Sequence, residues 1–523
     1  MQFRRPAGWM LAAVMGAQTA AFAQIAYEQL KTADGVLEGV VSADGKVRTF
    51  KGIPFAQPPV GDLRWQAPQP PIPWTGVRKA SEYGARCMQG NIYSDMIFHD
   101  TGPSEDCLYL NLWMPAKPTV PKLPVMVWIY GGGYQAGSSS EPRQDAGNLS
   151  KKGVLVVSMN YRLGIFGFFS HPELAKESGH NSSGNYGLLD QLAALRWVKK
   201  NIATFGGDPD NVTIFGESAG SFSVSALVAS PVAKGLFQRA IGESGAFFAS
   251  TSLPLKPLAE TEKADGAFAK SVLGADSLRD LRAKSAAEIL QAALKETQLR
   301  FIPNIDGYFL PQDVAAIYAQ GKESAVPLLA GSNLDEANSR AILGSDAPTA
   351  ANFRTHLDSL YGAHAVQIAK LYAGSTEAEV KRAAQDLASD RFIAFSTWKW
   401  QEMHAKTARM PVYRYEFDQT LPLAPNAPAG AEATAPHAAE IEFVFQVLSS
   451  RKLPWRPEDR KVSDLMGTYW TNFAKTGDPN GAGLPRWPAY RAEGGYMAMH
   501  LDADSQAAPD QHRARYLFLD SLR

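Results

Sequence analysis

The sequence predicts an α/β fold with a large, mostly parallel central sheet flanked by helices. Short continuous apolar runs, of the kind buried on both faces of a parallel sheet, recur along the chain. These predicted strands cover residues 123–130, 153–159, 212–215, 325–330 and 412–417. Residues 188–205 lie between the second and third runs and carry apolar residues at helical spacing. The resulting order of strand, helix and strand is typical of an α/β sheet with right-handed crossovers.

Helical additions are predicted around this sheet. Residues 255–300, 351–410 and 458–475 have the composition and spacing of helices. Residues 420–436 hold Pro, Ala and Gly with almost no large apolar group, which indicates an irregular loop. We therefore expect residues 24–523 to form one domain, with the insertions around 255–300 and 351–410 helping to form a pocket.

Composition excludes several classes of protein. The 523 residues include 52 Lys plus Arg and 52 Asp plus Glu, with 45% apolar and 20% charged residues. These values are typical of a soluble globular protein and not of a disordered one. A balanced charge gives no broad attraction to nucleic acid or anionic lipid. We therefore expect a small-molecule partner and no nucleic acid.

The first residues have the layout of a secretory signal. Arg4 and Arg5 precede an apolar stretch from Trp9 to Phe22, and small residues end it at Ala23. This pattern predicts a signal peptide over residues 1–23, cleaved after Ala23. The apolar stretch is shorter than the ~20 residues of a spanning helix, and no later segment approaches one. We expect an exported protein, either periplasmic or secreted.

The only cysteines are Cys87 and Cys107. In an exported protein this pair predicts one disulfide, which closes a loop of about 20 residues and is worth about 3 kcal/mol in the chain-entropy model. No histidine cluster lies near them in the sequence, so a zinc site is not expected.

A serine stands in the setting of a nucleophile elbow. Residues 216–220 read Gly-Glu-Ser-Ala-Gly, directly after the predicted strand at 212–215 and before a small-residue helix. Such a turn forces strained dihedral angles at the serine, and its glycines allow the helix to approach the strand. The pattern predicts Ser218 as a nucleophile at the carboxyl edge of the sheet.

A glycine loop follows another predicted strand, at residues 131–133. It lacks the Lys and Ser/Thr spacing of a phosphate loop and the fingerprint of a dinucleotide site. Its backbone N–H groups are suited to stabilise an oxyanion. We expect Gly132, Gly133 and Ala219 to be the donors.

A serine nucleophile needs a base, and the base needs an orienting carboxylate, in the chain order Ser, Asp/Glu, His. The histidines after Ser218 are His356, His364, His404, His437, His500 and His512. The first three lie in helical polar patterns and are expected to be solvated. His437 ends the irregular loop and is the predicted base. The acid is expected after the strand at 325–330, where Asp335 and Glu336 are adjacent and spacing does not choose between them.

Several longer motifs resemble the type-B carboxylesterase family, which includes the cholinesterases. The matching segments are Phe50–Ala56 with Leu63–Trp65, Ser104–Asn111, Asn160–Gly164, Gly184–Gln191 and Phe215–Ser221. The resemblance implies an α/β-hydrolase fold and cleavage of carboxylic esters through an acyl-enzyme, without cofactor or metal. It also implies Glu336 as the acid, His437 as the base, a Cys87–Cys107 disulfide and the oxyanion donors named above.

The sequence departs from this family at some positions. Ala438 replaces the usual glycine after the histidine, and Glu243 replaces a glutamine. If Glu243 faces the pocket, anionic acyl groups should be disfavoured; it could instead lie at a surface turn. Ser244 and Glu217 are expected beside the triad.

The loop closed by the cysteines contains no tryptophan. Choline-binding relatives use one there for cation–π contact, so its absence argues against a true cholinesterase. Tyr93 and Phe98 remain candidates to line a pocket. Two other classes stay open: a non-catalytic binding protein on the same fold, and another acyl hydrolase such as a lipase, thioesterase or peptidase.

Overall fold

The computed structural model describes residues 27–428 and 430–523. Fifteen strands occur in this part of the chain: β1 Tyr27–Lys31, β2 Val36–Val41, β3 Val47–Pro54, β4 Val77–Lys79, β5 Arg86–Cys87, β6 Pro103–Ser104, β7 Tyr109–Pro115, β8 Leu123–Ile129, β9 Leu155–Met159, β10 Gly207–Glu217, β11 Arg239–Glu243, β12 Leu328–Asn333, β13 Val412–Phe417, β14 Met497–Leu501 and β15 Gln506–Pro509. All except β5 and β6 belong to one large sheet. The predicted signal peptide, residues 1–23, lies outside the described residues.

The centre of the sheet is parallel, as the sequence predicts. Its strands run in the order β1-β2-β3-β7-β9-β8-β10-β11-β12-β13-β14-β15, with β4 paired to β2. In this order, all neighbouring pairs between β9 and β14 are parallel. The pairs β1–β2, β2–β3, β3–β7, β7–β9 and β14–β15 are antiparallel, and β4 pairs with β2 in parallel. Every residue of β8, β9 and β13 is buried, which explains the continuous apolar sequence of β8. The expected apolar run at 412–417 is interrupted, because β13 also buries Arg414 and Glu416.

Helices cover both faces of the sheet and form its insertions. Their bounds are α1 Gly147–Ser150, α2 Gly164–Phe168, α3 Pro172–Glu177, α4 Tyr186–Asn201, α5 Ala219–Ala229, α6 Leu258–Ser271, α7 Leu278–Ala283, α8 Ala286–Lys295, α9 Val314–Ala319, α10 Arg340–Leu343, α11 Ala350–Tyr361, α12 Ala365–Leu371, α13 Glu377–Ser389, α14 Phe395–Thr407, α15 Ile441–Val444, α16 Pro457–Thr476 and α17 Arg513–Ser521. A π-helical turn, Asp390–Ala394, joins α13 to α14. The predicted helical regions therefore contain α6 to α8, α11 to α14, and α16.

Neighbouring residues at the end of β11 show how the layers are arranged. A methyl group added to Gly242 would meet Trp400 of α14 and Ser221 of α5. The next residue, Glu243, accepts a hydrogen bond from Trp470 Nε1 of α16 at 2.7 Å. Because successive strand residues point to opposite faces, α5 and α14 lie on one face of the sheet and α16 lies on the other.

The region between β13 and His437 is irregular, as predicted. Its described residues form no helix or strand. Leu421 N–H donates to the Thr434 carbonyl at 2.8 Å, and this hydrogen bond joins the two ends of the segment between them. Its exit is held by a bridge between Asp335 and Pro436.

Two predictions about single residues have different outcomes. The Cys87–Cys107 disulfide is present. The expectation that His404 is solvated is wrong: its side chain is fully buried, close to Tyr318 Oη and the Val326 carbonyl at 3.2 and 2.7 Å. The helix α14 turns this histidine toward the core beside Trp400, one turn earlier. His364 is exposed and His356 is half-buried, near Asp346.

Among the described helices, none combines the length and apolar character that crossing a bilayer requires.

Candidate active site

Ser218 occupies the turn between β10 and α5. Its φ of 53° and ψ of −123° lie in a region that costs a non-glycine residue roughly 1–3 kcal/mol. The turn is held by a hydrogen bond from Ser218 N–H to the Glu243 carbonyl at 2.8 Å. Ser218 is half-buried, whereas the residues on both sides of it are buried. The strained turn thus exposes this side chain at the carboxyl edge of the sheet.

The two glycines around Ser218 allow the close approach of α5 to β8. A methyl group on Gly220 would lie 1.9 Å from the Ile129 carbonyl oxygen. One on Gly216 would lie 2.6 Å from the same oxygen. Both distances are too short for a side chain, so the local packing requires glycine at these two positions.

His437 lies between Ser218 and Glu336. Its Nε2 is 3.0 Å from Ser218 Oγ, and its Nδ1 is 2.5 Å from Glu336 Oε2. The imidazole also meets the edge of Phe392, from the π-helical turn, with ring centres 5.1 Å apart. These contacts fix the ring between a hydroxyl and a carboxylate, an arrangement that lets it accept the hydroxyl proton.

Glu336 is held from its other side. Its Oε1 accepts hydrogen bonds from Ser244 Oγ at 2.5 Å and from Asn333 N–H at 2.7 Å. The Glu336 side chain has no exposed surface. Two donors on one oxygen orient the other oxygen toward His437.

Asp335, the alternative acid, points away from His437. Its Oδ1 accepts from Arg382 Nη1 and Gln385 Nε2, each at 2.6 Å. Its Oδ2 accepts from Ala435 N–H at 2.9 Å. Asp335 therefore fastens the end of the irregular loop to α13, two residues before His437.

The glycine loop after β8 lies against the serine. A methyl group on Gly131 would be 2.9 Å from Ser218 Cβ. Gly132 and Gly133 have φ of 101° and 61°, which an L side chain rarely adopts. Within residues 27–428 and 430–523, the N–H groups of Gly132, Gly133 and Ala219 make no backbone or side-chain hydrogen bond. Three unused donors beside a nucleophile can receive developing negative charge.

Glu217 places a second carboxyl group near the imidazole. Its Oε1 is 3.2 Å from His437 Nε2. Burial raises the pKa of Glu217 to about 8, against the opposing influence of His437. Burial lowers the pKa of His437, but the Glu217 and Glu336 carboxylates outweigh it and raise that pKa overall. Neutral His437 is the form able to act as a base, so a nearby Glu217 carboxylate, which favours the imidazolium, opposes that form.

Residues around His437 complete this acidic environment. Glu440 is buried, and Asn333 Nδ2 donates to its Oε2 at 2.5 Å. Burial and then Glu336 raise the pKa of Glu440 to about 7.

Ala438, the residue after His437, adopts φ 63°, the glycine-like conformation, and its carbonyl accepts from Arg143 Nη2 at 2.5 Å.

A cavity of about 330 Å³ opens onto Ser218 and His437. Its lining includes Tyr93, Met96, Arg143, Arg300, Phe392 and Ile441. Tyr93 was predicted to line a pocket; Phe98 is not among the lining residues and instead stacks under Arg86. A larger cavity of about 460 Å³ lies beside His180 and Tyr308, but neither Ser218 nor His437 nor the glycine loop lines it. The smaller cavity is the relevant one because Ser218 and His437 line it.

Glu243 does not face this cavity. Its side chain is fully buried on the α16 face of the sheet, where it accepts from Trp470. Both possibilities considered for this residue, a pocket-facing carboxylate and a surface turn, are therefore wrong. Burial raises the pKa of Glu243 well above its usual value.

Glu416, Asp418 and His500 are a cluster with the residue types of a metal site, away from this cavity. Their donor atoms lie within 4.8 Å of one another. His500 Nδ1 already contacts Asp418 Oδ2 at 2.5 Å, and His512 Nδ1 lies 3.2 Å from Glu416 Oε2. Their contacts with one another and with His512 therefore engage all three residues.

Several residues of the site were not found by sequence reasoning: Asn333, Arg143, Phe392, Arg300 and Glu440 in its buried role. Asn333 precedes Glu336 by three residues, and Glu440 follows His437 by three. Arg143, Phe392 and Arg300 stand in segments without a motif, and the chain fold alone brings them to the cavity.

Comparisons with known proteins give esterases. A model of the carboxylesterase family matches residues 26–517. Fumonisin B1 esterase of Sphingopyxis macrogoltabida is 36% identical over 490 residues, covering 89% of this chain and 85% of the relative. Para-nitrobenzyl esterase of Bacillus subtilis (strain 168) is 39% identical over 469 residues, covering 86% and 91%. A solved thermophilic PNB esterase structure superposes with a TM-score of 0.79 at 36% identity, covering 94% of this chain and 100% of that one.

Proposed function

The chain belongs to the carboxylesterase family and is a carboxylic ester hydrolase, and we propose that Ser218, His437 and Glu336 are its catalytic triad. The observation that carries this assignment is the continuous series of contacts from Ser218 Oγ through His437 to Glu336. Geometry of this kind serves to activate a serine hydroxyl at neutral pH.

In the first half of the reaction, Ser218 Oγ attacks the ester carbonyl carbon. His437 Nε2 takes the hydroxyl proton as the new C–O bond forms, and Glu336 stabilises the resulting imidazolium. The N–H groups of Gly132, Gly133 and Ala219 stabilise the oxyanion; loss of one such donor typically costs about 3 kcal/mol. The tetrahedral intermediate collapses, His437 protonates the leaving alkoxide, and the alcohol departs.

In the second half, water attacks the acyl-enzyme. His437 Nε2 removes a proton from the water, and the same N–H groups stabilise the second oxyanion. Collapse breaks the bond to Ser218 Oγ, which recovers its proton from His437. The products are a carboxylic acid, an alcohol and the unchanged enzyme.

The decisive test is Ser218→Ala assayed with p-nitrophenyl acetate. We expect hydrolysis to fall by at least about 10⁴-fold, with a nearly unchanged melting temperature because alanine keeps the backbone of the turn. A matched control is Ser225→Ala, since Ser225 is a fully buried serine of the same helix that bonds to Phe222 and Phe247 instead. Substantial residual turnover in Ser218→Ala would refute the triad.

An organophosphate probe provides a second readout. We expect one adduct on Ser218, detected by mass spectrometry after proteolysis, and none in Ser218→Ala. An unlabelled protein would favour a binding function on the same fold.

We also propose that the protein is exported. The pattern over residues 1–23 and the disulfide support this, because structural disulfides are rare in cytosolic proteins. Amino-terminal sequencing of the protein expressed in its full-length form should give Gln24 as the first residue. A mature chain that retains residues 1–23 would contradict the proposal.

A further inference from the structure

The positively charged side chain of Arg300 lines the catalytic cavity next to the glycine loop. A methyl group placed on Gly133 would lie 3.2 Å from Arg300 Nη2 and 3.1 Å from Tyr93 Oη. The guanidinium and the phenol hydroxyl therefore flank Gly133 together, and both line the cavity that contains Ser218. Both groups can donate hydrogen bonds to the same anion.

The charge of Arg300 is not matched by a carboxylate in the described part of the chain. Its side chain is exposed and makes only two long hydrogen bonds to carbonyl oxygens, 3.3 Å to Ser252 and 3.5 Å to Gly133. The other arginine of the cavity differs: Arg143 lies 3.0 Å from Glu442 and 3.9 Å from Asp95. Arg300 is thus the cavity cation whose donors are available to a ligand.

The acidic residues of the cavity do not cancel this charge. Burial raises the pKa of Glu141 to about 7 and that of Glu217 to about 8, so both are partly protonated near neutral pH. Asp95 is exposed and lies beside Arg143. Glu243 is fully buried, accepts from Trp470 and does not line the cavity.

We propose that Arg300, assisted by Tyr93, binds a carboxylate carried by the substrate, so that the preferred esters have a free carboxylate near the scissile bond. This rests on the proposed function, because it places the anion beside the N–H donors assigned to the oxyanion. A guanidinium recognises a carboxylate through two parallel hydrogen bonds, which an uncharged ester cannot form. The carboxylate belongs to the acyl half or to the alcohol half of the ester, and matched substrates separate the two.

The test compares charged and neutral esters of similar shape. Monoethyl glutarate against ethyl pentanoate places the charge in the acyl half, and 4-acetoxybenzoate against phenyl acetate places it in the alcohol half. We expect the wild-type enzyme to give the higher kcat/KM for the anionic member of at least one pair. The advantage should shrink in 0.5 M NaCl because salt screens an exposed cation.

Arg300→Gln should lower kcat/KM for the favoured anionic ester by about tenfold. Its neutral counterpart should change by less than about twofold, since it makes no charge contact. Arg300→Lys keeps the charge and should retain part of the preference, which separates recognition from support of the glycine loop. Arg354→Gln is the control: Arg354 pairs with Asp358 on α11 and does not line the cavity.

Two results would overturn the inference while leaving the ester hydrolase intact: an equal loss on both members of each pair in Arg300→Gln, or no preference for an anionic ester in the wild type. A wild-type enzyme inert toward all four esters would overturn the proposed function, and this inference with it.

Discussion

Ser244 donates its Oγ hydrogen to Oε1 of Glu336 at 2.5 Å, on the carboxylate oxygen opposite the one that faces His437. Ser244 itself has φ 58° and is fully buried. Ser244, the first residue after β11, thus has a positive φ and contacts Glu336, just as Ser218 follows directly after β10. The hydrogen bond is charge-assisted, and such bonds are worth about 1.5–3 kcal/mol.

Ser244→Ala should therefore lower kcat by about tenfold or more, with little change in KM, because the orientation of Glu336 acts on the reaction and not on substrate binding. Initial rates with p-nitrophenyl acetate over a range of concentrations separate the two constants. Ser225→Ala, also buried but remote from Glu336, serves as the control. A change confined to KM would contradict this role.

Replacing Glu217 should move the pH profile. The Glu217 carboxylate raises the pKa of His437, so Glu217→Gln should let the histidine lose its proton at lower pH. The acidic limb of kcat/KM should then shift to lower pH. The control is Glu323→Gln, because Glu323 is also a buried glutamate but accepts from Thr407 Oγ1 and does not line the cavity. An acidic limb that stays in place, or shifts equally in the control, would argue against coupling between Glu217 and His437.

Variants of Glu336 and Asp335 should have different effects, the first on kcat and the second on the free energy of unfolding. Glu336→Gln should reduce kcat by about 10³–10⁴-fold, as expected when the imidazole loses its charged partner. Asp335→Ala leaves the buried Ala435 N–H without its acceptor, which should cost about 1–3 kcal/mol in the free energy of unfolding. Urea unfolding and steady-state kinetics on both variants provide the comparison. If Asp335→Ala lost as much activity as Glu336→Gln at full stability, the assignment of the acid would be wrong.

Ala438 should tolerate glycine but not a branched side chain. At φ 63° an alanine is strained by about 1 kcal/mol, close to the entropy that glycine adds to the unfolded chain. Ala438→Gly is thus expected to change the free energy of unfolding by less than about 1 kcal/mol. Ala438→Val should destabilise the protein by about 2 kcal/mol or more. Thermal denaturation of both variants measures the difference. The control is Ala439→Gly, because Ala439 is the neighbouring residue and has no positive φ. An Ala438→Val variant as stable as the wild type would contradict the prediction.

The strands that sequence patterns predicted are those in the middle of the sheet. The predicted run 123–130 contains β8 because burial on both faces imposes a continuous apolar sequence. The strand Arg239–Glu243 was missed because it is short and begins and ends with charged residues. The outer antiparallel strands, such as Gln506–Pro509, are partly exposed and carry no such run.

Within the site, sequence patterns found the residues that need a special backbone or a fixed chain order. Ser218 stood out through the glycines that its turn requires. Asp335 and Glu336 could not be separated, because the choice depends on which carboxylate the turn directs toward His437. Arg300 carries no pattern at all: its role depends on the fold of the 250–300 region against the glycine loop, and a lone arginine in a sequence says nothing of what it faces.

The hydrogen bond between Leu421 and Thr434, together with the anchor from Asp335 to Ala435, isolates the intervening backbone from the histidine that follows. None of the described residues in 422–428 and 430–433 lines the catalytic cavity. Changes in the length of that stretch cost little loop entropy, about 0.6 kcal/mol for each doubling. The fold thus holds an attachment point next to its active site, where an inserted peptide or a whole appended module would leave the position of His437 unchanged.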